Sequence, residues 1–179
     1  MSQIPIHLFF AVLPPETTCP TIGTLGSNLQ RAHGLHGTRI AMERLHMTVA
    51  PIYPMRGSLA DTVARARSVA AGIQYGRFPI CFEWSESFPL RRNRHPLVLR
   101  GDQGLQPMTG LRQEIRAQMM RAGFTVERSF TPHLTLLWAD RCVEAYPIAP
   151  ITWTVRDFVL VLSLPGQSRH IHVGHWQLQ

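Results

Sequence analysis

Hydrophobic and polar positions follow two rhythms along this chain. Residues 5–13 (PIHLFFAVL) form a nearly continuous apolar run closed by Pro14-Pro15, which predicts an opening strand. Between 16 and 33, Pro20, Gly23 and Gly26 interrupt the pattern and predict a weak or late-starting helix. Residues 45–53 (LHMTVAPIY) are β-rich. Leu59, Val63, Ala66, Ala70 and Ile73 then recur at three- and four-residue steps, with Asp61, Arg65 and Arg67 between them. That is the spacing of an amphipathic helix, and Asp61 suits its first turn, where a carboxylate meets the positive end of the helix dipole. Residues 77–88 (RFPICFEWSESF) alternate in part, as a half-buried strand does, and 95–100 (HPLVLR) reads as the partner. Leu105, Met108, Leu111, Ile115 and Met119 mark a second amphipathic helix, with Gly123 as its C-terminal stop. Strands follow at 133–138 (HLTLLW) and 152–163 (TWTVRDFVLVLS). Pro165-Gly166 turns the chain, and 169–178 (RHIHVGHWQL) returns as a hairpin.

This order predicts an α+β fold in which helices pack on the outer faces of antiparallel sheets. Each half places one strong helix near one strand bearing His-x-Thr, the arrangement an ancient duplication leaves. No flexible linker divides the chain. The expectation is a single bilobal domain over 1–179.

Composition narrows the chemistry. The formal net charge is +7, and all 18 basic residues are arginine. Without lysine there is no Schiff-base chemistry, no Walker-type phosphate loop and no ligase that adenylylates its own lysine. Any strand joining must draw on energy already stored in the substrate. The basicity fits a polyanionic partner such as RNA, and it equally fits an arginine-rich composition without one. The densest basic patch is 91-RRNRH-95, which also reads as a solvated turn. Cys19, Cys81 and Cys142 are widely spaced and form no CxxC pair, so reduced thiols are expected. No run approaches the roughly 18 apolar residues of a membrane helix. The N-terminus lacks a basic leader, so the expected location is the cytoplasm.

Two segments concentrate the chemistry: LHMTVA at 45–50 and PHLTLL at 132–137. Residues two apart on a strand share a face, so His46 pairs with Thr48 and His133 with Thr135. If both strands line one cleft, two imidazoles and two hydroxyls converge. Imidazole titrates near neutrality, so one ring can accept a proton while the other donates one. The hydroxyls can bind non-bridging phosphate oxygens. A strained cyclic phosphate could be opened by such a set without a metal. A lone histidine on a strand is more often structural, and the repetition of the motif is what shifts the balance.

These residues resemble the two-histidine phosphoesterase superfamily, whose mark is two HxTx motifs, and most closely its bacterial RNA 2′,3′-cyclic phosphodiesterases, also called 2′-5′ RNA ligases. The resemblance runs from 8-LFFAVLPPE-16 through 43-ERLHMTVAPI-52 and 130-FTPHLTLLW-138 to 157-DFVLVLS-163 and 169-RHIHVGHW-176. It implies a central cleft between two lobes and metal-free, cofactor-free hydrolysis of an RNA or nucleotide 2′,3′-cyclic phosphate to a 2′-phosphomonoester by a monomer. It implies that His133 activates water, that His46 protonates the leaving 3′-oxygen, and that Thr48 and Thr135 bind phosphate. Phe9, rather than Phe10, would lie near the terminal base. Trp138 stands where the family often has arginine, and Arg141 or Arg169 is the expected substitute.

Other patterns carry less. His170, His172 and His175 form HxHxxH, but Gly174 interrupts it and no carboxylate or thiol lies nearby in sequence, so an exposed strand face is the expectation and a metal site is not. The acids show no paired spacing for glycosidase work, and GxSxG and GxGxxG are absent. The alternatives are a non-catalytic RNA-binding module that keeps the cleft and its charge, and the same chemistry on another cyclic phosphate such as ADP-ribose 1″,2″-cyclic phosphate.

Overall fold

Among the described residues, two antiparallel sheets organise the fold, one of four strands and one of five. The structure is a computed structural model that describes residues 7–53, 58–89, 94–164 and 169–179. In chain order the elements are β1 (His7–Val12), α1 (Cys19–Ala32), β2 (Gly37–Arg39), β3 (Met47–Ile52), α2 (Leu59–Ala71), β4 (Phe78–Ser87), β5 (His95–Arg100), α3 (Gln106–Arg121), β6 (Leu134–Ala139), β7 (Tyr146–Val155), β8 (Asp157–Leu164) and β9 (Arg169–Gln177). Short 3-10 turns cover Met42–Arg44 and Gln103–Leu105. The first sheet runs β3-β1-β8-β9 and the second β2-β6-β5-β4-β7. The fold is α+β, as the pattern predicts. Positions 5–6 of the opening strand, 91–93 of the basic patch and the Pro165-Gly166 turn lie outside the described residues.

The helices follow from local chemistry. α2 starts with a capping box: the Ser58 hydroxyl accepts from the Asp61 amide, and the Asp61 carboxylate accepts from the Ser58 amide. α3 buries Met108, Leu111, Arg112, Ile115 and Met119, one stripe at helical spacing. It ends before Gly123, whose φ of +80° only glycine adopts without strain. α1 forms despite its glycines because Pro20 suits the first turn and Gly26 lies close against β6, where an added Cβ would sit 3.7 Å from Leu136. β2 escaped the sequence pattern because all three of its residues are exposed. β7 begins at Tyr146 rather than 152 because its first half is a largely solvent-facing extension.

The first sheet has two different faces. Phe10, Met47, Phe158, Leu160 and Trp176 belong to the main core. Phe10, Phe158 and Trp176 meet there at ring separations of 5.5–6.3 Å. β9 carries a glycine at 174 because the Trp176 indole covers it, so that an added Cβ would lie 2.1 Å from the ring. The other face carries a small cluster of Phe9, Ala11, Val159 and Val161, and this is the side on which the functional groups gather.

Candidate active site

The two His-x-Thr segments are built alike. Each histidine immediately precedes its strand, His46 before β3 and His133 before β6. In both, the ring is tied back to the chain: Nδ1 lies 2.7 Å from the Arg44 carbonyl in His46 and 2.7 Å from the Thr131 carbonyl in His133. A carbonyl only accepts, so Nδ1 carries the hydrogen in both rings and, in the neutral form, Nε2 keeps its lone pair for a ligand.

The strands then repeat the same irregularity. Ala11 pairs with Thr48 and Phe10 with Ala50, leaving Val49 as an extra residue. Val98 pairs with Thr135 and Leu97 with Leu137, leaving Leu136 extra. Each bulge falls on the residue after the threonine. Cross-strand partners share a face, so Thr48 and Pro51 lie on the Phe9–Ala11 face, and Thr135 and Trp138 lie together on the second sheet. A helix takes up each bulge. Leu136 packs on Gly26 of α1, and the Val49 carbonyl accepts from Arg112 of α3 at 2.5 Å.

Aromatic rings brace both imidazoles. Phe9 stacks on His46 with ring centres 5.0 Å apart, and Phe88 meets His133 edge-on at 5.0 Å. Phe9 is only 8% exposed and buttresses the His46 imidazole. His170 completes the first half-site, 5.0 Å from His46 and 5.8 Å from Phe9, with Nε2 3.5 Å from the Arg44 guanidinium.

The arginines are redistributed relative to expectation. Arg141 turns to the C-terminal end of α1, where it donates to the carbonyls of His33 and Gly34. Arg169 is exposed at the start of β9, and strand alternation puts it opposite His170. The arginines that act on the histidines are Arg44 and Arg100, each with a buried Nε that has no hydrogen-bond partner. Arg100 also pairs with Glu86. Above Trp138 lies the Arg94 guanidinium, 5.5 Å from the ring centre.

Among the described residues, the charges that lower the two imidazoles are those of His133, Arg44 and Arg100. His46 is pushed below its ordinary pKa of 6.5 by burial, then by the charges of His133 and Arg44, against the opposing pull of the Arg44 carbonyl. His133 is pushed down by burial and then by Arg100, against the Thr131 carbonyl. Both rings are therefore neutral at pH 7, in a positive field that favours a bound anion. β3 and β6, the strands that follow the two histidines, lie in contact with each other.

The bulge in β9 keeps His170, His172 and His175 on the Phe9 face, opposite Ser163, Val161 and Val159. His175 is engaged by Asp157 at 3.3 Å. Among the described residues, no three His, Cys, Asp or Glu side chains converge to hold a metal ion. Among them, too, no helix is long and apolar enough to cross a membrane.

Two antiparallel sheets, each leading in with a His-x-Thr segment, define a fold that known proteins share. Residues 14–166 match the model of the 2′-5′ RNA ligase superfamily, and the chain belongs to that family. Its fold is similar to that of E. coli LigT complexed with 3′-AMP, at 25% identity over 98% of this chain and 99% of that one, with a TM-score of 0.75. It is also similar in fold to TT0787 of Thermus thermophilus, at 19% identity over 96% and 97% of the chains and a TM-score of 0.69. The MHV ns2 PDE domain is more distant, at 18% identity over 84% of this chain and 97% of that one, with a TM-score of 0.54. No curated protein matches the chain.

Proposed function

We propose that the chain hydrolyses the 2′,3′-cyclic phosphate end of RNA, or of a nucleotide, to a 2′-phosphomonoester without a metal or cofactor. The observation that carries this is the matched pair of rings, each fixed through Nδ1 and each offering Nε2. Nε2 of His133 takes a proton from water as the oxygen attacks phosphorus. The bond from phosphorus to the 3′-oxygen breaks, and Nε2 of His46 delivers a proton to that oxygen. Solvent then returns one proton to His46 and removes one from His133. Both rings are depressed in the free protein, and the bound phosphate's negative charge is what holds the proton on His46. Thr48 and Thr135 donate hydroxyl hydrogen bonds to the non-bridging oxygens, with Arg44 and Arg100 supplying charge. Phe9 and Phe88 keep the rings aimed. Proton-transfer groups of this kind are each worth about 10²–10⁴ in rate.

The reverse reaction, joining a cyclic end to a 5′-hydroxyl as a 2′-5′ link, uses the same groups and is the minor activity in dilute solution. We assign the activity to one bilobal monomeric domain over 1–179 working in the cytoplasm, where the free thiols of Cys19, Cys81 and Cys142 stay reduced.

Phosphorus NMR of 2′,3′-cyclic AMP incubated with the protein and EDTA tests the reading. The expected product is 2′-AMP. Unchanged nucleotide would favour the non-catalytic RNA-binding alternative. Formation of 3′-AMP would reverse the choice of leaving oxygen, and loss of activity to EDTA with recovery on zinc or manganese would overturn the metal-free mechanism.

A further inference from the structure

A second basic pocket lies beside the site and has no role in the chemistry above. It occupies about 430 Å³ and is lined by Thr109, Arg112, Gln113, Arg116, Arg128 and Phe130. The first four come from α3 at spacings of three, one and three, a single helix face, and the last two from the segment leading into the second motif.

Three features mark it as an anion site. It is lined by three guanidinium groups and no carboxylate. Among the described residues, Arg116 and Arg128 enter no salt bridge with an acid, and the buried Nε of Arg116 has no hydrogen-bond partner. The Arg112 pKa is lowered chiefly by burial, Glu127 pulls it back up, and the Arg116 charge lowers it further, so the two guanidinium groups repel each other across the pocket. Arg112 itself is tied to the backbone. It donates to the carbonyls of Val49, Glu127 and Ser129 and lies 4.7 Å over the Phe130 ring, so it fixes the pocket wall rather than reaching out. Arg116 and Arg128 are left to take a ligand.

Position says which anion. Val49 follows Thr48, and Phe130 stands three residues before His133. Three residues span at most about 11 Å, so the Phe130 wall of the pocket lies within that reach of His133. A single nucleotide held between the histidines does not need it. A longer strand continuing on the 5′ side of its last nucleotide passes within reach, carrying a phosphate at every step.

Resting on the reading of the histidine site given above, we infer that Arg116 and Arg128 bind a backbone phosphate of the RNA upstream of its cyclic end, with Phe130 offering a ring edge to the adjoining base. The enzyme is therefore selective for oligonucleotides over mononucleotides.

The test compares wild type with the Arg116→Gln/Arg128→Gln double variant on 2′,3′-cyclic AMP and on a short oligoribonucleotide ending in a 2′,3′-cyclic phosphate. The expected result is a roughly tenfold rise in KM for the oligonucleotide, unchanged kcat, and mononucleotide kinetics within twofold of wild type. The salt dependence of oligonucleotide binding should fall by about 0.7 in log–log slope for the one phosphate released. A neutral methylphosphonate at the first internucleotide link should erase the difference between the two proteins. Equal effects on both substrates, or none on either, overturn the inference. Fluorescence anisotropy with a 3′-phosphorylated, dye-labelled oligonucleotide separates the two readings. If neither protein turns over either substrate but the double variant binds about tenfold more weakly, the pocket stands and the hydrolytic reading falls. If turnover is intact and anisotropy is unchanged, the pocket falls alone.

Discussion

His46 and His133 hold the same pose, each with Nδ1 2.7 Å from the carbonyl two residues earlier in the chain. Asparagine can reproduce that Nδ1 donor while lacking anything at Nε2. His46→Asn and His133→Asn should therefore keep melting temperatures within a few degrees of wild type and lose at least about 10²-fold in kcat. Turnover of 2′,3′-cyclic AMP and a circular-dichroism melt check both halves. Near-wild-type turnover by either variant removes that histidine from the proposed chemistry.

Thr48→Val and Thr135→Val preserve shape and remove the hydroxyl. Each is expected to raise KM severalfold or to lower kcat/KM about tenfold, with the fold retained. Steady-state kinetics on the mononucleotide decide this, and an unchanged kcat/KM in both variants would refute the phosphate role.

Acid should destabilise the protein earlier than its carboxylates alone require. His170 is lowered from 6.5 to about 4 by burial, then by the charges of His46, Arg44 and His172. The unfolded chain binds that proton near pH 6.5 and the folded chain only near 4, so the unfolded state holds more protons between the two values. Its contribution to stability is complete above about pH 6.5 and is lost as pH falls toward 4. His46 and His133 act in the same direction. Melting temperature should decline below pH 6.5, and His170→Gln should flatten that decline. A melting temperature that rises on acidification contradicts the assignment.

The same depressed values shape the rate. The acid limb of kcat/KM reports the base in the free enzyme, so it should fall below pH 6.5 rather than at it. A profile of initial rates from pH 4 to 9 locates the limb, and a midpoint above 6.5 would mean that the base is not one of these buried rings.

Arg112→Met should be among the more damaging single changes. It leaves three backbone carbonyls without their guanidinium donor, at about 1 kcal/mol or more each where burial excludes water, so about 3 kcal/mol in total. Arg112→Lys should recover little, because one ammonium cannot span the positions that a planar fork reaches. Urea unfolding midpoints measure both, and a loss below about 1 kcal/mol for Arg112→Met would show that water replaces the fork.

How much of this the sequence disclosed depends on the kind of relation. The His-x-Thr pairs were legible because period-two alternation needs only neighbouring residues. The amphipathic helices were legible because their buried positions repeat within one element. The bulges were not: a strict two-residue period carries the Thr48 face on to Ala50, whereas the inserted Val49 hands that place to Pro51. Phe88 and Arg100 gave no signal because only strand pairing and chain reversal bring them to His133, whereas Arg44 lies two residues before His46 within the motif segment. Arg141 and Arg169 illustrate the converse. They stand near the motifs in sequence or at a matching end, and local geometry sends one to a helix terminus and the other to the far side of its strand.

The single guanidinium of Arg112 grips both the strand that carries Thr48 and the segment that delivers His133. The gap between the two histidines proposed as acid and base is thus not free to follow drift in either half of the gene. A lineage that needed a wider or narrower gap for a bulkier substrate would have to move α3, a helix with no part in the chemistry itself. Changes of specificity in such an enzyme are to be sought along that helix as much as among the groups that meet the phosphate.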